Sequence, residues 1–227
     1  MGMVTTLKKT QLDAGHLTEA QLKSIQLGQF DFELSLDSHN AIKGCHEQLL
    51  RVLESGETVY GINTGFGFLA KKNISKDQLA QLQENIIVSH NAGVGAALSD
   101  SIVRLILATK INSLAQGYSG VRPMVIDYLM TFYHEHYYPV VPCQGSVGAS
   151  GDLAPLAALA APLLGHGQVR IRGDVVNAAS ALEQLQLSPL VLAPKEGLAL
   201  INGTQVSTAI ALDAAFSIDT LLEQAIH

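Results

Sequence analysis

The segment Gly145-Ser146-Val147-Gly148-Ala149-Ser150-Gly151-Asp152-Leu153-Ala154-Pro155-Leu156 constrains this chain more than any other. Its centre, Ala149-Ser150-Gly151, can react with itself. Attack of the Gly151 amide nitrogen on the Ala149 carbonyl closes a five-membered ring. Loss of two waters, one of them carrying away the Ser150 hydroxyl, leaves a methylidene-imidazolone. That ring is a strong electrophile made from the chain alone. The residue types suit the demand: Ala149 and Gly151 let the backbone groups approach, and glycine tolerates strained dihedrals.

Competing readings are weaker on residue type. A Gly/Ser-rich stretch before an apolar run is ordinarily a loop and a helix N-cap. A serine-hydrolase elbow needs Gly-x-Ser-x-Gly, but Asp152 stands where the last glycine belongs. A phosphate loop needs Gly-Lys-Ser/Thr, and this segment has no lysine.

The surroundings decide between these readings. Five segments occur in order: Tyr60-Gly61-Ile62-Asn63-Thr64-Gly65-Phe66-Gly67; Ser89-His90-Asn91-Ala92-Gly93-Val94-Gly95; Lys110-Ile111-Asn112-Ser113-Leu114-Ala115 with Gly117-Tyr118-Ser119-Gly120; Pro142-Cys143-Gln144 running into the segment above; and Lys195-Glu196-Gly197-Leu198-Ala199-Leu200-Ile201-Asn202-Gly203-Thr204. Together they resemble the histidine and aromatic amino acid ammonia-lyase family, whose electrophile arises from Ala-Ser-Gly. The Ser89-His90 pair is similar to the histidine-acting branch, whereas phenylalanine-acting relatives usually carry apolar residues there. Ala158 departs from the histidine usual in that branch.

The resemblance implies a fold that is mainly α with minor β-hairpins, and a reaction that eliminates ammonia from L-histidine to give trans-urocanate. It implies a methylidene-imidazolone formed autocatalytically from Ala149, Ser150 and Gly151, with no metal. Tyr60 becomes the catalytic base, although an unperturbed phenol near pKa 10 must be tuned downward for that work. His90 becomes a contact for the substrate side chain, where an imidazole can hydrogen-bond another imidazole. Asn202 becomes a contact to the electrophile and the substrate's polar groups. The partners implied are a small amino acid substrate and three further copies in a cytoplasmic homotetramer.

The family runs to about twice this length, so the chain reads as an N-terminal portion. An electrophile-bearing domain is expected over 1–203 and the start of a central bundle helix over 204–227. Two alternatives remain open: a tyrosine- or phenylalanine-acting lyase or aminomutase, and an inactive fragment that only assembles with a partner.

Composition agrees. The chain has 227 residues, 48% of them apolar, which is enough for a core. A net charge of −6 without tryptophan argues against nucleic acid and anionic membrane as partners. No run of roughly 18 uncharged apolar residues is present. The start, Met1-Gly2-Met3-Val4, lacks a signal-peptide layout. Cys45 and Cys143 do not make a disulfide scaffold and read as reduced thiols. His134, Glu135, His136 and Cys143 make a poor metal set, because residues i and i+2 diverge by about 200° on a helix.

Periodicity and caps predict helices over 38–55, about 75–90, 99–115, 123–132, 152–164, 178–185 and 205–227, with a short one after Thr18 and Gln21. Residues 28–36 read as irregular or extended. Residues 168–177 read as a hairpin turning at Arg172-Gly173. Lys110 and Arg122 read as structural cations.

Overall fold

The structure is a computed structural model that describes residues 9–55 and 76–226. Its elements run β1 (Thr10–Leu12), α1 (Glu19–Gln26), β2 (Phe32–Leu34), α2 (Leu36–Glu54), α3 (Lys76–His90), β3 (Val94–Ala97), α4 (Asp100–Leu114), α5 (Pro123–His134), β4 (Tyr137–Pro139), β5 (Pro142–Gln144), α6 (Leu153–Ala160), β6 (Gln168–Ile171), β7 (Asp174–Asn177), α7 (Ala178–Gln184), α8 (Glu196–Ile201) and α9 (Gln205–Ile226). The fold is mainly helical, as expected.

Helix starts follow local chemistry. Thr18 Oγ1 accepts from the Gln21 N–H while Gln21 Oε1 accepts from the Thr18 N–H, a reciprocal capping box. Ser99 caps α4. Ser35 caps α2, so that helix starts at Leu36, two residues ahead of the expected Ser38. Pro123 occupies the first turn of α5, where its missing N–H costs nothing.

α4 forms the centre of the core, packed against α1, α5 and α9. Its buried residues are Val103, Leu105, Ile106, Leu107, Ala108, Lys110, Ile111 and Leu114. α6 packs against α3 and α8, with Ala158 inside the core.

Two expectations need correction, and two elements, β2 and α8, add to the sequence reading. The helix over 152–164 splits, with α6 ending at Ala160 and a 3₁₀ turn covering Ala161–Leu164. Pro162 has no N–H to donate to the Ala158 carbonyl, so the α pattern cannot continue. Residues 28–36 contain β2, which pairs in parallel with β1. The sheets are mostly not hairpins: β3 pairs with β5, and β4 joins β6 across the chain. Among the described residues β6–β7 is the hairpin, turning on Arg172 (φ 52°) and Gly173 (φ 92°). Finally, α8 was not anticipated, because six residues are too few for a periodic signal.

α9 buries Val206, Ala209 and Phe216 but leaves Ile218, Leu221, Leu222 and Ile226 exposed. Among the described residues no helix is long and apolar enough to cross a membrane.

Candidate active site

Two turns meet at the site. The first, residues 145–152, leaves β5, which is anchored to β3 through Val94↔Gln144 and Ala97↔Pro142. The second, residues 202–204, leaves α8. Gly151 and Gly203 form an isolated parallel bridge, and the Asp152 N–H donates to the Gly203 carbonyl at 2.7 Å.

The backbone of the first turn is strained. Ser150 has φ 66°, the left-handed region that costs a side-chain-bearing residue roughly 1–3 kcal/mol. Gly151 has φ 116°, and a Cβ there would lie 2.5 Å from the Gly203 oxygen and 2.7 Å from its nitrogen. Only glycine fits.

Polar contacts hold this geometry. The Asn202 side-chain amide donates to Ser150 Oγ at 3.1 Å. Asn202 is extended (φ −86°, ψ 124°) at the end of α8, and its main-chain carbonyl accepts from Lys110 Nζ at 3.0 Å. Asp152, at the start of α6, is buried. One of its oxygens accepts from Ser146 Oγ, and the other accepts from the Ser207 N–H and Ser207 Oγ, each at 2.8 Å. The carboxylate thus ties the loop over 145–152 to the first turn of α9, where a negative charge is favoured by the helix dipole.

All the predicted site residues except Tyr60 fall among the described residues. Ala149, Ser150, Gly151 and Asn202 come together, with Ala149, Ser150 and Asn202 exposed. His90 ends α3. Its Nδ1 lies 2.8 Å from the Ile86 carbonyl and 3.3 Å from Ser89 Oγ. A carbonyl can only accept, so Nδ1 carries a proton, and in the neutral ring Nε2 presents a lone pair. The chain leaving α3 packs on the loop entry, since a Cβ on Gly145 would lie 3.1 Å from Gly93 Cα. Tyr60, with its glycine-punctuated segment, lies outside the described residues. A cavity of about 560 Å³ flanks the loop, lined by Cys143, Ser146, Gly148, Gly151, Pro155 and Ile210. Neither Ser150 nor Asn202 lines it.

His134 and His136 are otherwise engaged. His134 Nε2 contacts the Phe32 carbonyl and Asp31, and His136 Nδ1 meets the Tyr138 hydroxyl. Burial, then the Arg104 charge, pushes the His136 imidazole pKa down.

Sequence reasoning missed one support and read the other, Lys110, only as a structural cation. The Asp152–Ser146–Ser207 tie joins residues far apart in sequence. Lys110, in contrast, left a legible signal: it occupies the stripe Val103, Leu107, Lys110, Leu114, an i, i+4, i+7, i+11 pattern that otherwise holds only core residues.

The fold and these motifs place the chain in a known class. A family profile described as aromatic amino acid lyase matches residues 17–227, and the chain belongs to that family. It is 49% identical over 215 residues to a histidine ammonia-lyase of Legionella pneumophila (strain Paris), a match covering 95% of this chain and 42% of that protein. The crystal structure of histidine ammonia-lyase from Trypanosoma cruzi superposes with a TM-score of 0.82 at 34% identity, covering 90% of this chain and 40% of that one. A tyrosine aminomutase from Streptomyces globisporus superposes with a TM-score of 0.84 at 33% identity, covering 90% and 38%. The chain therefore spans less than half the length of the relatives it matches.

Proposed function

We propose that the chain is the N-terminal portion of a histidine ammonia-lyase, which releases ammonia from L-histidine and leaves trans-urocanate. The observation that carries this reading is the left-handed Ser150–Gly151 turn beneath Asn202. It occurs in a chain 49% identical to a named histidine ammonia-lyase. The tyrosine aminomutase neighbour stands lower, at 33% identity.

The residues present fit a methylidene-imidazolone built from Ala149, Ser150 and Gly151. Gly151 has no room for a side chain, and Asn202 donates to the hydroxyl that must leave. Such a ring supplies an electrophile that turns the substrate's amine, a poor leaving group, into a better one. Tyr60 takes the β-proton as general base. His90 offers Nε2 to the N–H of the substrate imidazole. Asn202 holds the polar groups beside Ser150. The start of α6 lies next to the loop, and its positive dipole end favours electron density gathering there.

This reading also carries a domain division, 1–203 and 204–227, a cytoplasmic location and a homotetramer. In the tetramer, exposed Ser150 and Asn202 would be covered by residues from outside this chain.

Intact mass tests the ring. A chain lighter than its sequence by two waters supports it, and an unshifted mass removes it. With the whole protein, absorbance rising in the urocanate band with L-histidine, but not with L-tyrosine or L-phenylalanine, selects the substrate. The opposite preference assigns the protein to another branch.

A further inference from the structure

Lys110 is 1% exposed, in the C-terminal half of α4. Burying an ammonium without a counter-charge is costly. Glu196 and Asp152, the acidic groups flanking α8 and the turn that leaves it, are committed elsewhere. Glu196 on α8 accepts from the Arg122 main chain and guanidinium and from the Ala193 N–H. Asp152 is taken by Ser146 and Ser207. Burial is what displaces the Lys110 amine, pushing it down to about 7.

What Lys110 does contact is informative. Its Nζ donates to the Ala199 carbonyl at 2.7 Å and to the Asn202 carbonyl at 3.0 Å. A neutral amine has two N–H groups, and two acceptors are in place. Ala199 lies in the last turn of α8 and Asn202 just past it, and the helix is too short to hold its own end rigidly. The start of α8 is held separately, by Glu196 on Arg122 and by the Gly197 N–H on Gln83 Oε1 at 2.9 Å. Lys110 therefore controls the end from which Asn202 and Gly203 emerge.

We infer that Lys110 is a positioning residue for the reactive loop: it pins the Asn202 main chain so that the Asn202 amide meets Ser150 Oγ and Gly203 stays bridged to Gly151. Its consequence for ring formation rests on the reading of residues 149–151 given above, whereas its hold on Asn202 does not.

The test uses the 227-residue chain. Lys110→Met keeps the length of the side chain and removes the donor, while Lys110→Arg keeps donors. The first readout is the side-chain amide resonances of Asn202, assigned by their loss in Asn202→Asp. They are expected to shift in Lys110→Met, with the α4 methyl signals retained, and to return toward wild type in Lys110→Arg. Unchanged Asn202 signals in folded Lys110→Met overturn the inference.

The second readout is the rate of two-water loss by intact mass after refolding. Removing the donor is expected to slow it roughly tenfold, the equivalent of one net hydrogen bond, with recovery in Lys110→Arg. An equal rate in Lys110→Met also overturns the inference. If the wild-type chain never loses two waters, the ring reading falls while the Asn202 resonances still decide the role of Lys110. If Lys110→Met does not fold, the wild-type chain carries the test. Its Asn202 side-chain signals must move with pH alongside the Lys110 Cε signal, and a flat response is the overturning result.

Discussion

α4 and the loop over 145–152 sit one side chain apart, joined through Lys110 and Asn202, yet they are held by opposite means. α4 is secured by apolar contact along most of its length. The loop is exposed from Cys143 to Ser150, left-handed at Gly148, Ser150 and Gly151, and secured by a few hydrogen bonds and a missing side chain. Dense packing supplies stability but no reactivity. Strain at a functional turn persists only where the surroundings over-determine it. Here Lys110, Asn202 and Asp152 provide that restraint.

Substitutions that act on one region and spare the other sharpen this contrast. Leu107→Ala, within the buried stretch of α4, should cost about 2–5 kcal/mol in urea unfolding. A loss under 1 kcal/mol would show that α4 is not the centre of the core.

The polar exception within α4 should appear as pH dependence. Between about pH 7 and 10.5 the unfolded chain keeps the Lys110 proton and the folded chain does not. Stability should therefore rise with pH across that window, by a few kcal/mol at most, with the penalty greatest below pH 7. Lys110→Met should flatten the slope. Denaturation midpoints between pH 6 and 10 measure it, and a slope retained in Lys110→Met would assign it to another group.

The loop should respond to a single methyl. Gly151→Ala forces a Cβ onto the Gly203 backbone at a positive φ, at a cost of about 1–3 kcal/mol. It should also abolish the two-water mass loss, and a variant that still loses both waters would show that the bridge is dispensable. Ser207→Ala removes one side-chain donor to Asp152 and should cost about 1 kcal/mol. Its mark should be slower mass loss more than a lower unfolding midpoint. Leu222→Ser, on the exposed end of α9, should stay within about 0.5 kcal/mol. A larger loss in the isolated chain would mean that this face already has a partner.

The sequence carried most of the helices, because caps and apolar periodicity are local. Thr18 with Gln21, Ser99 and Pro123 mark their helices as the structure has them. The misses share a cause. β1 and β2 are three residues each, and β4 pairs with β6 some thirty positions away, so no local pattern announces them. α8 is shorter than two turns. Pro162 stands in the sequence where α6 gives way to the 3₁₀ turn.

For the site, Ala149, Ser150, Gly151 and Asn202 were legible as motif residues. Asp152's tie to Ser146 and Ser207 was not, since hydrogen bonds across 55 residues have no sequence period.

The amino-acid order alone dictated which atoms can condense, because the ring would form between adjacent peptide units whose side chains are small. It also dictated where most helices begin, since a cap acts within four residues. Only the folded chain decided that Gly151 faces Gly203, that a lysine is buried under Asn202, and that one carboxylate joins the loop to the start of α9. Those are meetings between distant segments, set by which surfaces pack together.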